Sequence, residues 1–366
     1  MKRFLALLVI PAAYAATIAA DSTRGEGLFQ TLHCIQCHSV NGHGGTIAPD
    51  LGRLVDRNFT PASLAATMWN HAPTMWAAMR ERNVTAGDLT DQGAADLLAY
   101  FYAARFFEKP GDAGRGKALF TEKHCAQCHG ISTPKLPAAP PVSEWQGINQ
   151  PIELVNAMWN HATTMKQEFL RQKIAWPHLD SQDLTDMLVY LRNLPGTRNA
   201  TVHVEIVAGP QGQELFQEKG CSGCHHGKLS LPPLLKGQTL TDIAVDMWNH
   251  EPLMAASPPT LDLGQMRQII SYIWAEQFFE DSGSASAGAR VFTGKHCAGC
   301  HNNPSSGAPS LVGQSFNSAV MISALWHHGP GMLDRMKAQN VPWPRFEDHQ
   351  MSDLLAFLNT GAQKKP

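Results

Sequence analysis

The feature that most constrains this chain is a five-residue pattern, C-x-x-C-H, which occurs four times and uses every cysteine present. The occurrences are Cys34, Cys37 and His38; Cys125, Cys128 and His129; Cys221, Cys224 and His225; and Cys297, Cys300 and His301. Two intervening residues make one tight turn that presents both sulfurs on the same side, and the imidazole follows at once. Any fold for this chain must bring two thiols and a histidine to a common centre four times over.

The pattern is the attachment signature of c-type haem, in which the thiols add to the haem vinyl groups and the adjacent histidine binds the iron. Other chemistries fit less well. A closed zinc site needs four ligands and gives no reason for a histidine after every second cysteine. A redox dithiol requires no such histidine. A disulfide across two residues closes a very small loop and stabilises little. The expectation is four covalently attached haem c groups, held by Cys34, Cys37, Cys125, Cys128, Cys221, Cys224, Cys297 and Cys300.

A chain of 366 residues exceeds one hydrophobic core. Its formal charge of −2 excludes a strongly basic nucleic-acid binder. Lys2 and Arg3, the apolar run Phe4 to Ile10 and the small residues Ala12 to Ala20 read as a secretory signal peptide over residues 1–20. No later segment is apolar enough to span a membrane. Export is expected, to the periplasm or beyond the cell.

The rest of the chain repeats around the motif. A glycine and a phenylalanine precede each one at fixed distance: Gly25 and Phe29, Gly116 and Phe120, Gly212 and Phe216, Gly288 and Phe292. A short helix with its phenylalanine buried, running into the cysteine loop, explains both intervals. After each motif comes a proline-containing loop, with Pro49, Pro140, Pro232 and Pro309, whose neighbourhood can offer a carbonyl to the second histidine nitrogen.

A second pattern, W-x-H-x-x-x-M, then appears once per repeat: Trp69, His71 and Met75; Trp159, His161 and Met165; Trp248, His250 and Met254; Trp326, His328 and Met332. Pro73, Pro252 and Pro330 stand two residues after the histidine and are expected to end a helix begun near Ser63, Leu240 or Ser318. Thr163 takes that place in the second repeat, whose helix begins near Ile152. Each repeat closes with an amphipathic helix, centred on Tyr100, Tyr190, Tyr272 or Phe357. Boundaries fall in Gly-, Pro- and Ser-rich stretches, giving modules 21–108, 109–198, 199–281 and 282–366. Val202, Val204 and Ile206 alternate within the second boundary and are read as an extended linker rather than a strand.

A helix entering C-x-x-C-H, a proline loop, a middle helix, a methionine segment and a closing helix with a central tyrosine resemble the class I cytochrome c family, four times in tandem. The resemblance implies an all-α chain of four helical domains, each around one haem, with first and last helices crossing. It implies His38, His129, His225 and His301 as proximal ligands and Met75, Met165, Met254 and Met332 as distal ones. The histidine four residues before each methionine departs from the simplest family pattern. His71, His161, His250 and His328 are the alternative distal ligands, since both groups cannot bind one iron from the same side. Met79 and Met336 stand one turn further on, in two repeats only. The tryptophans either hydrogen-bond haem propionates or pack in the core.

The expected function is electron transfer between protein donors and acceptors by an exported tetrahaem cytochrome with filled axial positions and no catalytic residues. Its alternatives are a redox enzyme with one open haem and self-association into a conductive filament.

Overall fold

The computed structural model describes residues 19–52, 60–104, 110–145, 148–194, 205–254, 257–279, 282–347 and 349–361. Residues 1–18 of the expected signal peptide and most of the Pro195 to Pro210 linker, with Val202 and Val204, lie outside them.

Each repeat has three principal helices. The leading helices are Ser22–Thr31, Ala113–Glu122, Pro210–Glu218 and Ala285–Gly294. Asp21, Asp112 and Ser284 cap three of them through side-chain oxygens that accept first-turn N–H groups. The middle helices are Pro61–Glu81, Pro151–Gln172, Leu240–His250 and Ser318–Ala338. Pro61 and Pro151 stand in the first turn, where a missing N–H costs nothing, and Thr60 with Ser63 closes a capping box. The closing helices are Asp91–Ala104, Ser181–Arg192, Leu263–Phe278 and Gln350–Leu358.

The glycine four residues before each phenylalanine is where leading and closing helices cross. A Cβ on Gly25, Gly116, Gly212 or Gly288 would lie 2.1, 2.0, 2.4 or 1.9 Å from the carbonyl oxygen of Asp96, Asp186, Gln268 or Asp353. Only a residue without a side chain permits that approach. The phenylalanine then meets the aromatic ring of the closing helix: Phe29 to Tyr100 at 5.7 Å, Phe120 to Tyr190 at 6.0 Å, Phe216 to Tyr272 at 5.8 Å and Phe292 to Phe357 at 5.3 Å between centroids. Asp96 and Asp186 are buried at this crossing and accept the N–H groups of Asp21 and Asp112, both at 2.8 Å. Arg24 and Arg115 donate to the same carboxylates. Burial works against the charged form of Asp186, but its hydrogen bonds from Asp112, Gln182 and Arg115 prevail and hold its pKa below the ordinary value.

Two expectations need correction. Pro73 and Pro330 do not end their helices, which continue to Glu81 and Ala338. Only the third middle helix stops at its histidine, followed by a 3₁₀ turn, Glu251–Leu253, that contains Pro252. The boundary before the third leading helix is also not all linker. Val207–Ala208 pairs antiparallel with Ala20–Asp21, and Ile206 is fully buried.

The repeats associate in two pairs through their middle helices, second with its neighbour the third and first with the distant fourth. Trp69 and Trp326 donate their indole N–H groups to Pro344 O and Gly87 O at 3.0 and 2.7 Å. Trp159 and Trp248 donate to Pro259 O and Pro177 O at 2.8 and 2.9 Å. The next residue in three repeats is an asparagine that brackets a backbone unit of the other repeat. Asn70 holds the N–H and C=O of Phe346, Asn160 those of Leu261 and Asn249 those of Leu179. In the fourth repeat His327 Nε2 lies 3.1 Å from Leu89 O. Where first and fourth helices meet, Gly329 is so close to Trp76 that a Cβ would fall 2.2 Å from the indole. First and third repeats join through the strand pair and through Tyr102, whose ring lies 4.7 Å from that of Trp274.

Candidate functional site

The cysteine loops follow directly on the leading helices, and the turn into each is left-handed. His33, His124 and His296 have φ of 64, 66 and 64°, and Gly220 has 82° in the third repeat. That reversal immediately precedes Cys34, Cys125, Cys221 and Cys297. The signal was present in the sequence as a histidine or glycine before every first cysteine, and the reading of the motif passed over it.

No two of the eight cysteines form a disulfide. Burial pushes Cys34, Cys125 and Cys297 up to about 11 and raises Cys221. These thiols stay protonated at neutral pH and are poor spontaneous nucleophiles.

The histidines expected as proximal ligands meet a carbonyl of the proline loop in three of the four repeats. Nδ1 of His38, His129 and His301 lies 2.9, 3.0 and 2.8 Å from the carbonyl oxygens of Pro49, Pro140 and Pro309. A proton on Nδ1 donated to a carbonyl fixes the tautomer that leaves Nε2 as a lone-pair ligand. In the third repeat the partner of His225 is Leu229 O, at 3.4 Å, because Pro232 lies inside a short helical turn, Leu231–Leu234.

Opposite each of the first three proximal rings stands the histidine of the middle helix. The centroids are 6.1 Å apart for His38 and His71, 6.3 Å for His129 and His161, and 5.7 Å for His225 and His250. Each span leaves room for one metal atom bonded at about 2 Å to a nitrogen of either ring. Burial, and then the facing histidine, lower the pKa of His71 and His161, which favours the neutral form a metal needs. His328 holds the equivalent helical position in the fourth repeat, and its ring contact is with His327 at 6.3 Å. Met75, Met165 and Met332 stay on the helix one turn beyond the histidine, whereas Met254 follows the 3₁₀ turn in extended backbone; all four are partly buried. Met75 and Met79 also pack against Ala72, Trp76, Leu325 and Leu333, in the seam between first and fourth repeats.

The donor set of each repeat, two cysteines on one turn followed by a histidine, is that of a covalently attached haem. Phe216 and Tyr272, with Leu231, Pro232 and Ile273, line a cavity of about 110 Å³ beside His225. The equivalent aromatic pairs stand behind the other loops. The tryptophans of the W-x-H pattern are not available to propionates, since their indole N–H groups are committed to backbone carbonyls of other repeats.

The cytochrome c family matches residues 22–102 and 113–195, and the family described as cytochrome C oxidase, cbb3-type, subunit III matches residues 283–358. No curated protein and no solved structure matches the chain. No helix among the described residues is long and apolar enough to cross a membrane. The third repeat lies between the matched segments and carries the same cysteine pair, proximal histidine and opposing histidine. With these helical domains built around repeated haem-attachment loops, the chain is a multidomain c-type cytochrome.

Proposed function

We propose that the chain is an exported tetrahaem electron carrier in which protein histidines fill both axial positions of each iron. Haem c, when bound, supplies an iron that changes oxidation state. Cys34 and Cys37 and their counterparts would anchor it, His38, His129, His225 and His301 would ligate one face, and His71, His161, His250 and His328 the other. The observation that carries this reading is the pair of facing imidazoles in the first three repeats. The fourth is assigned by its equivalent place in the repeat.

The preference for histidine over Met75, Met165, Met254 and Met332 rests on the middle helix. A methionine ligand needs a loop that leaves the helix after the histidine, and in the first, second and fourth repeats the helix runs on for two or more turns. On such a helix the histidine and methionine lie one above the other on the same face. In the first and second repeats the histidine is the one that faces the histidine of the cysteine loop.

Filling both positions from the protein leaves no place for an exogenous substrate, so the chain relays electrons between protein partners. Two measurements test this. The near-infrared charge-transfer spectrum of the oxidised protein should be that of bis-histidine ligation, and the reduced spectrum should be unchanged under carbon monoxide. A shifted Soret band under carbon monoxide would favour the enzyme reading. Among variants, His71→Ala should open one site of four to carbon monoxide, whereas Met75→Ala should leave the spectrum as it was. The reverse result would return the distal position to methionine.

A further inference from the structure

We infer that Trp343 and Trp176 are positioning residues acting across repeats: each lends its indole N–H to the helix that carries another repeat's axial histidine. This rests on reading His71 and His250 as ligands. In an unbroken helix the N–H of residue 73 would donate to the carbonyl of Trp69, but Pro73 has no N–H. Trp69 O accepts instead from Nε1 of Trp343, in the fourth repeat, at 3.0 Å.

The same relation holds in the other pair. Pro252 leaves the carbonyl of Trp248 without its helical donor, and Nε1 of Trp176, in the second repeat, lies 3.3 Å from it. There the N–H of Glu251 also turns to Trp248 O, so the bond is shared. Both indoles are held by stacking: Trp343 on Trp69 at 5.1 Å and 23°, Trp176 on Trp248 at 4.1 Å and 29°. Trp76 packs edge-on against Trp343 at 5.7 Å.

Two of the three carbonyls freed by a proline receive such a donor. Thr163 keeps its N–H, so the helix of the second repeat has no orphaned carbonyl, and the corresponding residue of the third repeat is Pro258. Pro330 likewise frees the carbonyl of Trp326, and the corresponding residue of the first repeat is Ala86, which has no side-chain donor. His71 lies midway between Trp69 and Pro73, on the turn that an unsatisfied carbonyl would bend. A residue of the fourth repeat thus sets the geometry of the first repeat's ligand, and a residue of the second sets that of the third.

The test is electron paramagnetic resonance of the oxidised full-length holoprotein. The component lost in His71→Met marks the first site, and that lost in His328→Met marks the fourth. Trp343→Phe, which keeps an aromatic ring and removes the donor, should move the first component and leave the fourth in place. Pro73→Ala in the same chain restores an internal donor to Trp69 O and should return the first component to its parent position. An unmoved first component, a shift at the fourth instead, or no rescue by Pro73→Ala would overturn the inference. Should Trp343→Phe bind fewer than four haems, Trp176→Phe decides, read at the sites marked by His250→Met and His161→Met. Failure of the underlying ligand assignment shows separately, as a methionine-type charge-transfer band in the parent protein.

Discussion

At the scale of single residues, the turn into each cysteine loop is the sharpest constraint. A left-handed conformation costs an L-residue about 1–2 kcal/mol, and histidine tolerates it better than a β-branched side chain does. His33, His124 and His296 accept that cost where the third repeat uses Gly220. His296→Val should therefore lower holoprotein stability by about 1–2 kcal/mol, whereas His296→Gly should change it by less than about 1 kcal/mol, because the relief offsets glycine's larger unfolded-state entropy. Thermal unfolding of the two variants beside the parent checks this, and equal losses in both would show that the imidazole itself is needed.

At the scale of elements, the crossing of leading and closing helices depends on an absent side chain. Gly288→Ala would place a methyl group 1.9 Å from Asp353 O, so the helices must separate. Overpacking of this kind costs about 1–3 kcal/mol and sometimes more, and here it also displaces Phe292 from Phe357 behind the fourth cysteine loop. The variant should unfold earlier and attach its fourth haem less completely, which a mass of the holoprotein reports. Gly294→Ala is the control, since nothing stands within 4 Å of its Cβ position. These elements were legible in the sequence: the intervals from glycine to phenylalanine to cysteine located four leading helices, and the starts of the middle helices fell within two residues of those observed. Proline misled, because helix breaking is argued within one segment. Pro73 sits inside a helix since its lost bond is replaced from elsewhere, by Trp343. No local pattern could have disclosed that donor.

At the scale of the molecule, four tandem domains suggest beads on a string, yet the contacts bind first to fourth and second to third. This was hidden because the receiving groups are backbone carbonyls and N–H groups, which carry no residue code. Only the tryptophan and asparagine sides of the contacts were visible, and the tryptophans were read as haem or core residues. Asn160 illustrates what the arrangement implies for stability. It donates to Leu261 O at 2.7 Å and accepts from Leu261 N at 3.0 Å, so Asn160→Ala leaves both backbone groups of a fully buried leucine without that partner. Asn156 also donates to Leu261 O, at 2.9 Å, so the N–H is the group left worse off. An unsatisfied buried donor costs about 1–3 kcal/mol. The loss belongs to the seam, so hydrogen exchange should accelerate in the middle helix of the second repeat and in the segment before the closing helix of the third together. The first and fourth repeats, whose seam depends on Asn70 and Phe346, should keep their protection. Acceleration confined to the second repeat would mean that the domains unfold independently, and acceleration throughout would mean that the two pairs form one cooperative unit joined at Ala20–Asp21 and Val207–Ala208.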